Sequence, residues 1–106
     1  MTTSNEQAQR KIGRSISDLL KARDDTTGLS SAEKQTLNTA IKALRAEYLA
    51  LSNSAQSATY AEITMALTGA KTQLEEIKDK RNKFKNGLVT ASKLLGTLTS
   101  VLKLIT

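Results

Sequence analysis

Serine and lysine three residues apart, at Ser31 with Lys34 and again at Ser100 with Lys103, would set a hydroxyl nucleophile one helical turn from an amine base. The companion motifs of the serine acylases are missing, and ten serines with eleven lysines in 106 residues make such a spacing expected by chance. Neighbouring carboxylates occur at Asp24 with Asp25 and at Glu75 with Glu76, but adjacent helical residues do not face each other. The stretch from Asp24 to Gly28 resembles a calcium loop only at its start, since the twelfth position is Gln35 where a bidentate glutamate is required. No two of the five glycines lie close enough to build a phosphate cradle.

With no histidine and no cysteine, the usual zinc, copper, haem and iron–sulfur ligand sets are excluded, as are histidine-based triads and disulfides. The residues imply no catalytic centre, no metal and no cofactor. Aromatic side chains make up 3% of the chain, too few for a base-stacking platform.

Charge is more informative through its distribution than through its total. Residues 1–76 carry nine basic and nine acidic side chains, so the net +6 resides entirely in residues 77–106, where seven basic residues face the single acid Asp79. Lys71, Lys78 and Lys85 recur every seven residues, which places them on one stripe where charge would select a partner helix.

The elements that must carry these residues are helical. Proline is absent, Ala, Leu, Lys, Gln and Glu abound, and apolar residues recur at helical spacing, so the fold class is all-α. A single domain over 1–106 is expected, with helices near 5–25, 31–53, 59–85 and 87–105. Ser4 with Gln7, Ser30 with Glu33 and Thr59 with Glu62 form three candidate capping boxes. The first helix offers a narrow stripe of Ile12, Ile16, Leu19 and Leu20, weakened by Gly13. The second offers a seam of Leu37, Ile41, Leu44, Tyr48, Leu51 and Ala55.

The third seam starts at Ile63 and runs through Leu67, Ala70, Leu74, Ile77, Arg81, Phe84 and Leu88 to Ile105, with Arg81 its one polar member. Sustained over this length it predicts coiled-coil-like packing of a long heptad-patterned helix. Asn86 and Gly87 are a turn signal inside that seam, so either one long rod or two helices joined by a turn satisfies the sequence. The architecture is therefore a helical hairpin or a three- to four-helix bundle.

The last twenty residues are the most apolar, with Lys93 and Lys103 their only charges. Such a helix is buried in a bundle or, with Ser92, Gly96 and Ser100 on its polar side, lies on a membrane surface. The expected function is a non-enzymatic protein–protein interaction module. It would self-associate or dock another helical protein through Leu88, Leu95, Leu98, Leu102 and Ile105, with Lys71, Lys78 and Lys85 setting register. The alternative is a membrane-active, pore-forming or lytic helical protein that uses the same cationic amphipathic tail against an anionic bilayer. Nucleic acid is a poorer fit, because the basic cluster at 78–85 lacks any recognition-helix motif. No cleaved secretory signal is visible, so a cytoplasmic location, or export without one, is expected.

Overall fold

The computed structural model describes residues 3–26, 29–83 and 92–105, and within these the side chains other than those of 82–83, 92–95 and 104–105. Among the described residues four helices form: α1 (Asn5–Asp25), α2 (Ser31–Ser52), α3 (Met65–Lys83) and α4 (Ser92–Ile105). Among the described residues there is no strand, only one isolated antiparallel bridge between Ser4 and Thr59.

Two capping boxes set the first two helix starts. The Gln7 amide donates to Ser4 Oγ at 3.2 Å and the Ser4 amide donates back to Gln7 Oε1 at 3.1 Å. Ser30 and Glu33 repeat the arrangement at 3.1 Å in both directions. Helix α1 then buries Ala8, Ile12, Ser15, Leu19 and Ala22, an alternation of fours and threes along one face. Ile16 and Leu20 pack at its margin rather than in its centre. The fully buried Ser15 hydroxyl is satisfied by donating to the Lys11 carbonyl at 2.9 Å.

Helix α2 runs antiparallel to α1, since Asn5 bonds near its end and Arg23 reaches Asn38 near its start. Its buried face is Leu37, Ala40, Ile41, Leu44, Glu47 and Leu51. This corrects the expected seam at two positions. Tyr48 is 38% exposed, and Ala55 lies beyond the helix in an exposed turn, while Glu47 occupies the inward position between Leu44 and Leu51.

A second correction concerns residues 59–64. They are not helical: the Thr59–Glu62 capping box does not form, and α3 begins at Met65. The Asn5 amide donates to the Ala58 carbonyl at 2.9 Å and the Tyr60 amide to Thr3 at 2.8 Å, so this segment is bound to the start of α1 before α3 begins. Ile63, the expected first member of the third seam, is consequently 47% exposed. From Leu67 onward the seam holds, with Leu67, Ala70, Leu74 and Ile77 buried.

The single long rod is also corrected. Helix α4 packs side by side with α3 and with α1, which a straight continuation of α3 cannot do. Contacts join α1 to α2, α2 to α3, α3 to α4 and α4 to α1, which closes a ring of four helices. Phe84, Asn86, Gly87 and Leu88, where the turn was weighed against the rod, lie outside the described residues. Leu98 and Val101 are fully buried and Leu102 is 8% exposed, so α4 completes the core with its own apolar face.

Candidate functional site

The spacings that suggested chemistry are scattered by the fold. Ser31 and Lys34 are both exposed on the first turns of α2, and Ser100 and Lys103 are exposed on α4. Glu75 and Glu76 face outward from α3. Asp24 sits in the last turn of α1 and pairs with Arg23 at 3.0 Å, while Gln35 is already inside α2, so the supposed calcium loop is mostly helix. Among the described residues no group of three or more acidic, histidine or cysteine side chains converges.

The expected partner-binding residues divide into three groups. Leu98 and Leu102 are buried within the chain's own bundle. Leu95 and Ile105 belong to α4, but their side chains lie outside the described residues, as do Leu88 and Lys85 altogether. Lys71 and Lys78 share one side of α3, both half-buried, with Lys71 Nζ 3.9 Å from Glu62 Oε2. Glu62, free of the capping role expected of it, also accepts from the Thr68 hydroxyl.

Two polar constellations escaped the sequence reading. Glu47, fully buried on α2, accepts at Oε1 from the Tyr60 hydroxyl at 2.8 Å and the Ile63 amide at 2.7 Å, and at Oε2 from the Thr64 amide at 2.7 Å. It thereby ties the segment leading into α3 to α2, satisfying the Ile63 and Thr64 amides just ahead of Met65. Burial pushes its carboxyl upward, but the bonds from Ile63, Thr64 and Tyr60 outweigh that and hold it below the ordinary 4.5. Burial, followed by the bond to and charge of Glu47, raises the Tyr60 phenol well above its ordinary value. Both shifts favour one state, an ionised carboxylate gripped by a neutral phenol.

Arg81, the one polar member of the third seam, clamps α3 to the start of α2. Its Nε and Nη2 donate to the two carboxylate oxygens of Glu33 at 2.6 and 2.7 Å, with side chains 12% and 15% exposed. The Arg81 bond is the main reason the Glu33 carboxyl lies below its ordinary value, with the Ser30 cap assisting. Glu33 therefore serves a helix cap and an interhelical ion pair at once. A lone arginine in an apolar seam was the available signal for this pair. For Glu47 the signal was weaker: an acid three residues after Leu44 and four before Leu51.

An open cleft of about 520 Å³ lies between α1 and α4, lined by Asp18, Lys21, Gly96, Thr97 and Ser100. A second, of about 450 Å³, lies between α1 and α2 and includes Arg23, Lys42 and Arg45. No described helix is long and apolar enough to cross a membrane. In comparison with known proteins, the chain matches no family, no curated protein and no solved structure.

Proposed function

We propose that this chain is a non-enzymatic helical interaction module whose last helix exchanges between its own bundle and a second chain. Support comes from the seating of α4. Its face of Leu98, Val101 and Leu102 fills a groove between α1 and α3, while Gly96, Ser100 and Lys103 look outward. Every copy of the chain offers the same groove to the same face, so exchange of α4 between copies replaces each lost contact with an identical one. Leu88, Leu95 and Ile105 would extend that face, and Lys71, Lys78 and Lys85 would set register alongside it. The strongest polar groups fit a structural role: Glu33, Glu47 and Tyr60 are engaged in bonds that fasten helices together.

Sedimentation velocity over a wide concentration range, with donor- and acceptor-labelled chains mixed at each concentration, tests this proposal. A mass that rises toward a dimer, with energy transfer appearing as chains exchange, is expected. A single monomeric species at every concentration, with no transfer after prolonged mixing, would overturn it.

The second reading, insertion of α4 into an anionic membrane surface, is favoured by the same segregation of Leu98, Val101 and Leu102 from Gly96, Ser100 and Lys103. Flotation with phosphatidylglycerol vesicles but not with phosphatidylcholine vesicles would support it, and no flotation with either would remove it.

A further inference from the structure

Helix α2 carries five charged residues: the acids Glu33 and Glu47 and the bases Lys34, Lys42 and Arg45. Both acids are withdrawn from its outer surface. Glu33 is neutralised by Arg81, which belongs to the basic part of the chain, and Glu47 is buried under Tyr60, Ile63 and Thr64. What remains facing water along α2 is cationic, although residues 1–76 are neutral as a sequence.

Asn38, Lys42 and Arg45 follow one another at intervals of four and three and line the α1–α2 cleft together with Arg23 from α1. Arg23 is held there by donating to Asn38 Oδ1 at 2.8 Å and to Asp24 Oδ1 at 3.0 Å. Lys42 and Arg45 are exposed, and among the described residues that line the cleft none is acidic, Asp24 lying beside it on Arg23. Its apolar floor is Ile41, and Gln35 adds an amide at one end.

We infer that this cleft binds an acidic peptide segment of a partner protein, with Lys42 and Arg45 pairing with its carboxylates beside an Arg23 already engaged by Asp24 and Asn38. Three observations select that partner. The charges are spread along an open groove of about 450 Å³, too large for one small anion to fill. One of them, Arg45, is a guanidinium group, whose planar fork matches a carboxylate in bidentate fashion. Among the described residues the lining holds no aromatic ring on which unpaired bases could stack. The cleft lies between α1 and α2, and α4 contacts only α1 and α3 among the described helices, so this surface and exchange of α4 are independent.

The test uses the full chain and three fluorescently labelled probes: a deca-glutamate peptide, a neutral deca-glutamine peptide and a ten-nucleotide single-stranded DNA. Anisotropy is expected to show deca-glutamate binding that weakens with salt, and no binding of deca-glutamine. The double variant Lys42→Gln with Arg45→Gln should weaken it by about three- to tenfold. Lys11→Gln with Arg14→Gln, which removes the same charge from the outer face of α1, should change it by less than about twofold. Amide NMR shifts on adding deca-glutamate should cluster at residues 35–45. Equal weakening by both double variants, shifts centred on residues 78–83 or 92–103, tighter binding of the DNA, or no binding of deca-glutamate would each overturn the proposal.

Discussion

Glu47→Gln is the substitution that asks most directly whether a buried carboxylate builds this bundle. The change keeps the shape of the side chain and removes its charge. A glutamine carbonyl placed at Oε1 keeps the bonds from the Tyr60 hydroxyl and the Ile63 amide, but its NH₂ then confronts the Thr64 amide, donor against donor, at a site 2.7 Å away. A lost charge-assisted bond is worth about 1.5–3 kcal/mol, and the stranded amide adds to it. We expect about 2–4 kcal/mol of destabilisation at neutral pH, a large share of the roughly 5–15 kcal/mol that holds an ordinary domain together.

The pH dependence follows with a definite sign. The Glu47 carboxyl is held below its ordinary 4.5 in the folded chain. Its contribution is therefore present above about 4.5 and is lost as pH falls through the folded value. The difference between wild type and Glu47→Gln should be full near pH 7 and should shrink as pH falls below about 4.5 and the native glutamate is itself protonated. Urea unfolding followed by far-ultraviolet circular dichroism at several pH values measures both quantities. Stabilities that agree within about 0.5 kcal/mol at neutral pH, or a gap that widens in acid, would refute the assignment of Glu47 as an ionised anchor of the segment before α3.

Other substitutions read out the remaining contacts. Arg81→Met should cost about 1–3 kcal/mol and flatten the acid limb that comes from Glu33, whose carboxyl is lowered chiefly by Arg81, so that less stability is lost below about 4.5 than in wild type. Gly69→Ala should stabilise the chain by about 0.5–1 kcal/mol in thermal unfolding, because nothing lies within 4 Å of the added methyl. Gly13→Ala should gain less, since its methyl would stand 3.3 Å from Tyr48 Cε2 and the ring must yield. Leu98→Ala should cost about 2–5 kcal/mol in unfolding at low protein concentration, and Leu49→Ala, at a side chain 64% exposed, less than about 0.5 kcal/mol.

What the sequence made legible was local. The boxes at Ser4–Gln7 and Ser30–Glu33 need only residues three apart, and both helices start where they predict. The seam from Leu67 to Ile77 likewise needs only periodicity. Thr59–Glu62 has the same local form yet fails, because Thr59 and its neighbours are held by Thr3 and Asn5, which are distant in sequence. Four-three spacing puts Tyr48 in the seam, and Ile63, Thr64 and Tyr60, from that non-helical segment, supply the donors that make an inward Glu47 carboxylate favourable. Arg81 was visible as an interruption of the seam, but its partner Glu33 lay 48 residues away.

The apolar tail was the hardest to read because its cover depends on side-chain size in another helix. By its large residues, Ile12, Ile16, Leu19 and Leu20, α1 offers only a narrow stripe. Its buried face, however, also takes in Ala8, Ser15 and Ala22 beside Ile12 and Leu19, and Leu98, Val101 and Leu102 of α4, which packs on α1 and α3, are buried. This burial constrains how the tail can act. Uncovering each large apolar side chain costs about 1.5–3 kcal/mol, so α4 cannot display Leu98 and Leu102 to water while it waits for a partner. It can surrender them only to a surface that covers them equally well, such as the α1–α3 groove of a second copy or a lipid interface. Under the proposed function, docking through this helix would be an exchange of one enclosure for another, and its rate should be set by release of α4 rather than by encounter.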